Sequence, residues 1–442
     1  LVDVLAPKLQ PREDDPDVDP LWGTPNPPAP IDVFNKLEIP LIPVLASMQE
    51  SGVLLDTEYL YQMSGSLNDM LVSLEQEIFD LSGYGTFNIN SPKQLNDVLF
   101  GKLGLKSQGI RKTAHGVSTA ADVLDNMRGD HPVVDKILEY RELSKLKGTY
   151  VDALPALINP RTGRVHTHFN QSGASTGRLS SNNPNLQNIP IRTEVGREVR
   201  RAFIVPDGVC LLAVDYSQVE LRIMAHVTRE PTLLEAFAQG QDIHAATAAL
   251  VNNVPIEQVT KSQRSFAKRV NFGILYGMGA FRLARESDLT LPQAEAFIKT
   301  YFERLPGVRA YLDKAKHLAY TNGYLTTLFG RRRTFPGLKH GNRNIQTSAE
   351  REAINMPIQG TAADIIKQAM ITLHSELERR EPRARMILQV HDELVLEVPE
   401  DRLTAAAALV VETMEGACEL AAPLRTNAQY GTNWRDLEPV AL

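Results

Sequence analysis

Leu211-Leu212-Ala213-Val214-Asp215-Tyr216-Ser217-Gln218-Val219-Glu220-Leu221-Arg222 passes from an apolar run into a carboxylate and then directly into helical spacing. The pattern predicts a buried strand that ends at Asp215, with a helix following at once. An aspartate at the end of such a strand is held rigidly at a sheet rim, as a metal ligand must be. Taken alone, Asp215 is more often a helix N-cap, by about two to one on cap preferences. A second carboxylate stands in Ile387-Leu388-Gln389-Val390-His391-Asp392-Glu393-Leu394-Val395-Leu396-Glu397-Val398. Strand alternation on both sides of His391-Asp392 predicts a hairpin with Asp392 at its tip. Turn aspartates are common for local hydrogen-bonding reasons, so one in isolation means little.

Between them lies Arg264-Ser265-Phe266-Ala267-Lys268-Arg269-Val270-Asn271-Phe272-Gly273-Ile274-Leu275-Tyr276-Gly277. Arg264, Lys268 and Phe272 share one helical stripe, with Tyr276 drifting round the side. Two cations followed by two aromatics on one face suit a triphosphate at one end and a base at the other. An amphipathic helix with snorkelling cations has the same stripe. Gly277-Met278-Gly279 follows a helix rather than a strand, so it is not a dinucleotide fingerprint.

Outward from these segments, residues 7–30 are rich in proline and acid and read as linker or loop rather than core. Helical spacing is expected over 33–50, 57–80, 93–100 (capped by Ser91 with Pro92 behind it) and 133–147. Val165 to Asn170 alternates like a strand, and 171–195 is a polar segment. Residues 202–205 and 209–214, joined by Pro206-Asp207-Gly208, read as a β-hairpin. Residues 217–380 read as largely helical, and a second hairpin spans 386–398. An alanine-rich helix over 405–424 would carry Glu412, Glu415 and Glu419 on its wet face. The class is α+β, with two hairpins able to share one sheet.

The 442-residue chain is 43% hydrophobic and 23% charged, an ordinary globular balance. It has no unbroken apolar run long enough for a membrane helix. Cys210 and Cys418 make neither a disulfide framework nor a zinc motif, which fits a reducing compartment. The net charge of −6 argues at first against a nucleic-acid partner, but residues 1–40 alone hold −5 of it. The rest is nearly neutral and contains arginine clusters at 197–201, 264–269 and 331–343. A binding footprint depends on where charge sits. The opening at Leu1, without a signal-like segment, reads as a start partway through a longer protein.

The three quoted segments, in this order, resemble motifs A, B and C of the family A DNA polymerases. Ser175-Thr176-Gly177-Arg178-Leu179-Ser180-Ser181-Asn182-Asn183-Pro184-Asn185-Leu186-Gln187-Asn188-Ile189-Pro190 resembles the primer-template segment of that family. Asn355-Met356-Pro357-Ile358-Gln359-Gly360-Thr361-Ala362-Ala363-Asp364 is similar to a fifth motif. The resemblance runs from about Phe34 to the C-terminus, with Val219 where isoleucine is usual.

The resemblance implies a right-hand architecture. Its palm would comprise residues 34–52, 141–235 and 355–442, its thumb 53–140 and its fingers 236–354, with 1–33 a linker or remnant of an upstream domain. It implies two Mg²⁺ ions (Mn²⁺ as a substitute) held by Asp215, Asp392 and the backbone carbonyl of Tyr216. Lys268 would serve the leaving group. Arg264, Lys268, His244, Phe272, Tyr276, Glu220 and Gln218 would bind the nucleotide, with Glu220 excluding a ribose 2′-hydroxyl. Arg178, Asn185, Gln187, Asn188, Gln359, Asn355, His391 and Lys147 would contact DNA, and Lys102, Lys106 and Lys145 its backbone. Glu393 would have a secondary role. The implied partners are primer-template DNA and dNTPs, for a monomer in the bacterial cytoplasm, at the nucleoid, serving replication and repair. No exonuclease is expected from this chain. Rival readings are a single-subunit RNA polymerase, a metal-dependent nuclease and a non-catalytic DNA-binding module.

Overall fold

The computed structural model describes residues 9–10, 18–114, 116–191, 193–275, 277–287 and 289–442. The amino-terminal part is mostly helical, as its spacing predicts. A helical lead-in from Pro30 runs into α1 (Ile39–Ser51). Gly52 ends it at φ 59°, where a Cβ would meet the His166 ring and the Val165 carbonyl within 2.8 Å. After β1 (Leu54–Leu55) comes α2 (Thr57–Ser82), whose first turn is capped by Asp56 accepting from the Tyr59 amide at 2.9 Å. Helix α3 (Pro132–Leu146) packs along α2.

Residues 18–29 depart from the loop expectation. Leu21 and Trp22 are buried in the core. The Trp22 indole donates to the Thr326 carbonyl at 3.1 Å, and the Thr326 hydroxyl donates to Asp19 Oδ2 at 2.7 Å. Two bulky apolar side chains outweigh the polar composition around them, since a large buried residue contributes about 1.5–3 kcal/mol.

The strand expected over 165–170 is confined to β2 (His168–Asn170). It pairs with β3 (Ser180–Asn182) inside the polar segment. Helix α4 (Glu194–Arg201) leads to β4 (Phe203–Ile204) and β5 (Val209–Tyr216). These two strands do not form the expected hairpin: β4 pairs with β1, and β5 enters a different sheet. The turn at 206–208 is real, but the apolar run of β5 gains more burial between two long strands than beside a two-residue partner.

Helices α5 (Val219–Thr228), α6 (Ile243–Asn252), α7 (Lys261–Leu275), α8 (Leu291–Arg304) and α9 (Pro306–Asn322) match the helical middle. An unanticipated hairpin of β6 (Tyr324–Thr326) and β7 (Arg332–Thr334) interrupts it. Helix α10 (Arg343–Arg380) then runs 38 residues through Pro357. Proline removes one helical N–H there, and one turn before it the Tyr311 hydroxyl donates to the Ile354 carbonyl at 2.8 Å.

The predicted second hairpin is present as β8 (Arg385–Val390) and β9 (Glu393–Pro399). Helix α11 (Leu403–Glu415) is shorter than expected: it stops at Gly416, so Glu419 lies beyond it. Strands β10 (Thr426–Gly431) and β11 (Glu438–Pro439) complete an antiparallel sheet in the order β8-β9-β5-β10-β11. The Tyr216 hydroxyl donates to the Met414 carbonyl of α11 at 2.7 Å. By strand parity, Cys210, Leu212 and Val214 face the same helix, while Asp215 faces the opposite side. Among the described residues, no helix is long and apolar enough to cross a membrane.

Buried His244 and half-buried His226 set a pH dependence. Burial holds both His226 and His244 down to about 4, with the nearby Arg229 adding to the effect at His226. The unfolded chain takes up these protons near the ordinary histidine value of about 6.5. The contribution of these histidines to stability is therefore complete above pH 6.5 and is lost as pH falls toward 4. His226 Nδ1 accepts from the Ala421 amide at 2.9 Å, a bond that protonation removes. We expect Tm to fall with pH in this window, and His226→Phe to flatten the slope relative to the parent. Identical slopes in the two melting series would contradict the assignment.

Candidate active site

The register of the sheet brings the two aspartates together. Asp215 lies directly opposite Glu393 on β9 and directly opposite Asn427 on β10. These three side chains form a row across one face. Asp392 is one residue before Glu393, in the two-residue turn after β8, and the Tyr216 amide donates to its carbonyl at 3.1 Å. Both aspartate carboxyls are held above the usual carboxylate range. Burial is the main cause in each case, and the negative charge of Asp392 raises Asp215 further. Asp215 is a strand residue and not a helix cap: Gln218, at φ 56°, occupies the cap position of α5.

Glu393 is tied away from this pair. Its Oε1 accepts from the Trp434 indole at 2.9 Å, and Arg200, stacked 3.9 Å over the Trp434 ring, lies 3.9 Å from Oε2. Burial also raises Glu393. A cleft of about 380 Å³ opens here, between α4, the sheet and residues 434–437. Asp215, Glu393, Arg197, Arg200 and Arg435 line it. Trp434 and its pairing with Arg200 of the 197–201 cluster were not legible in the sequence, because no periodicity links positions 234 residues apart. Trp434, one of only two tryptophans, was the available signal.

A smaller cavity of about 30 Å³, room for one water, lies between Arg178, Gln187, Lys367, His391 and Asp392. Arg178 is ion-paired at 2.7 Å with Glu220, which is buried. His391 sits at φ 56°, and its carbonyl accepts from Gln389 Nε2 at 2.5 Å. Gln187 donates in turn to Gln389 Oε1 at 2.9 Å, so its amide braces the hairpin. Asn185 accepts from the Gln187 amide at 3.1 Å, while Asn188 on the same short turn is exposed. Asn355 and Gln359 lie one turn apart on α10, and Asn355 Oδ1 is buried without a hydrogen-bond partner among the described residues.

The cationic stripe lies on α7, which packs against α6. Arg264 reaches Asp242 at 2.6 Å, and Asp242 also caps α6 through the amides of His244 and Ala245. His244 is 2% exposed, stands 3.2 Å from the Asn271 amide nitrogen and has its ring 5.6 Å from that of Phe272. Its neutral state follows from burial, with Lys268 and Arg264 nearby lowering it further. Lys268 is exposed. Tyr276 lies outside the described residues. Lys147 is engaged by Asp152 at 2.7 Å, whereas Lys102, Lys106 and Lys145 are exposed. Another cleft, of about 700 Å³ between α8, α9 and α10, contains neither aspartate.

The donor set suits a hard cation: carboxylate and carbonyl oxygens, with no thiolate. Among the described residues, no group of three or more His, Cys, Asp or Glu side chains is arranged to hold a metal. A cation here must therefore draw on water, backbone or substrate oxygens, as Mg²⁺ characteristically does.

A right-hand polymerase fold with two carboxylates at the rim of its central sheet is the class that these elements define. The chain belongs to DNA polymerase family A, whose model matches residues 57–436. It is 49% identical over 402 residues to the thermostable DNA polymerase I of Thermus aquaticus, which covers 91% of this chain and 48% of that protein. DNA polymerase I of Chloroflexus aurantiacus is 47% identical over 419 residues, covering 94% and 44% respectively. The chain thus spans about half the length of the curated relatives it matches. A solved structure, the POL domain of Pol1 from M. smegmatis in complex with DNA primer-template and dNTP, superimposes with a TM-score of 0.86 at 40% identity. It covers 92% of this chain and 71% of that one.

Proposed function

We propose that this chain is a DNA-directed DNA polymerase that adds deoxynucleotides to a primer 3′-hydroxyl and releases pyrophosphate. The observation that carries the reading is the meeting of Asp215 and Asp392 at neighbouring strand ends, 177 residues apart in sequence. Their mutual repulsion and raised carboxyls favour a bound cation over an empty site. Asp215, Asp392 and the Tyr216 carbonyl would hold two Mg²⁺ ions, which when bound activate the attacking hydroxyl and stabilise charge on the transferred phosphate.

The residues of the chain do the rest. Arg264, freed from Asp242, and Lys268 grip the triphosphate, and Lys268 offers a proton or charge to the leaving group. Neutral His244 donates a hydrogen bond without adding charge. Phe272 and Tyr276 support base and sugar, while Gln218 and Glu220 line the nucleotide site and Glu220 excludes a 2′-hydroxyl. Arg178, Gln359 and His391 contact the primer terminus through minor-groove acceptors common to all base pairs. Asn185, Gln187, Asn188 and Asn355 shape that surface, and the exposed lysines 102, 106 and 145 meet the duplex backbone. Lys147 joins them only by leaving Asp152.

In this reading residues 34–52, 141–235 and 355–442 form the palm, 53–140 the thumb and 236–354 the fingers. The chain acts as a monomer on primer-template DNA in the bacterial cytoplasm, at the nucleoid, in replication and repair.

The test is primer extension with each dNTP and NTP, with and without Mg²⁺. Template-dependent extension with dNTPs, abolished by chelation, is expected. Extension with NTPs instead would favour an RNA polymerase. Degradation of labelled DNA without dNTPs would favour a nuclease, and binding without incorporation a DNA-binding module.

A further inference from the structure

Four charged side chains with no part in the mechanism above are packed beneath the Arg178 loop. Asp364 and Lys367 of α10 have fully buried side chains. Glu38, just before α1, and Arg331, just before β7, retain 20% and 16% exposure. Arg331 Nε and Nη2 donate to Asp364 Oδ1 at 2.7 Å each, and Nη2 also reaches Glu38. Lys367 Nζ donates to Glu38 Oε1 at 2.7 Å, and the Thr327 hydroxyl donates to Asp364 Oδ2 at 2.7 Å. Two cations and two anions balance. Replacing such a buried cluster with apolar residues is often neutral or stabilising, so stability alone does not account for it.

What lies on the cluster is the loop that ends in Arg178. Gly177 takes φ 82°, and a Cβ there would fall 2.5 Å from Arg331 Nε, so the loop backbone rests directly on the guanidinium. Gln171, at the start of the loop, donates to the Glu38 carbonyl at 2.9 Å and to its Oε2 at 2.8 Å. Gly360 of α10 has no Cβ to push against the Thr176 carbonyl, which would stand 3.3 Å away. Lys367 reaches the one-water cavity that Arg178 and Asp392 also line.

We propose that Arg331, locked by Glu38 and Asp364, is a positioning residue that sets the pose of Arg178 against the primer terminus. The inference rests on the reading of Arg178 as a primer contact. A lysine at position 331 keeps the charge but lacks the planar fork that holds two carboxylates and supports Gly177.

The experiment is a double-mutant cycle on matched-primer extension, using the parent, Arg331→Lys, Arg178→Ala and the double variant. Arg331→Lys is expected to lower kcat about tenfold, with the KM for dNTP changed less than about twofold. In the Arg178→Ala background the same change should cost less than about twofold. A merely structural role would give equal deficits in both backgrounds, and that result overturns the inference. An Arg178→Ala protein that extends primers like its parent instead removes the reading of Arg178, and the inference with it. Gly177→Ala disturbs the same contact from the loop side while leaving all four charges in place. Its deficit must also vanish with Arg178, and this cycle decides the matter if Arg331→Lys does not fold.

Discussion

Asp215→Asn and Asp392→Asn are each expected to reduce nucleotide incorporation by a factor on the order of 10³ or more, since a catalytic metal supplies several kcal/mol of transition-state stabilisation. Asparagine matches aspartate in shape but loses the charge that holds a divalent cation. Primer-template affinity should stay within about threefold at fixed salt, because backbone contacts elsewhere carry it. The folded state should not suffer. Both carboxyls are raised mainly by burial, and Asp215 also by the charge of Asp392, so removing one charge relieves repulsion in the metal-free protein. Tm in chelator should be equal to or above that of the parent. Near-normal turnover in either variant would refute the assignment. Lost activity with a collapsed Tm would show that the residue serves the fold instead.

Glu220→Ala is expected to relax sugar discrimination by about 10–100-fold, since steric exclusion in a packed site is worth roughly 1–3 kcal/mol. Glu220 is buried at the start of α5 and its carboxylate meets Arg178 at 2.7 Å, so the side chain is held in one pose. Glu220→Gln keeps the volume and should retain discrimination. Alanine also leaves Arg178 without this carboxylate, so incorporation of the correct dNTP should slow as well. The measurement is the ratio of kcat/KM for dNTP and NTP in single-nucleotide extension. An unchanged ratio in the alanine protein would dispose of Glu220 as the sugar gate.

Much of the site was legible in the sequence because its signals are local. An apolar run ending in Asp215 must be a buried strand with a carboxylate at its end, and alternation around His391-Asp392 must be a hairpin; both are present. The i, i+4, i+8 stripe of Arg264, Lys268 and Phe272 lies on one helix for the same reason. The failures are non-local. Local turn chemistry at 206–208 suggested a hairpin, but strand pairing is decided by the burial that competing partners offer, and β5 pairs with β9 and β10. Composition suggested linker or loop at 7–30, yet Leu21 and Trp22 are buried in the core and Trp22 is bonded to a hairpin some 300 residues away.

By itself, then, the sequence determined which residues carry charge at rigid ends and which helix presents cations beside an aromatic ring, because periods of two and of 3.6 residues are properties of the backbone. Only the tertiary structure decided which of these groups meet. It brought Asp215 beside Glu393 and Asp392, tied Glu393 to Trp434, and seated the Arg178 loop on Arg331. Those contacts join residues tens to hundreds of positions apart, and no local preference encodes them. They arise from burying one continuous core around the sheet, a collective outcome of the whole chain.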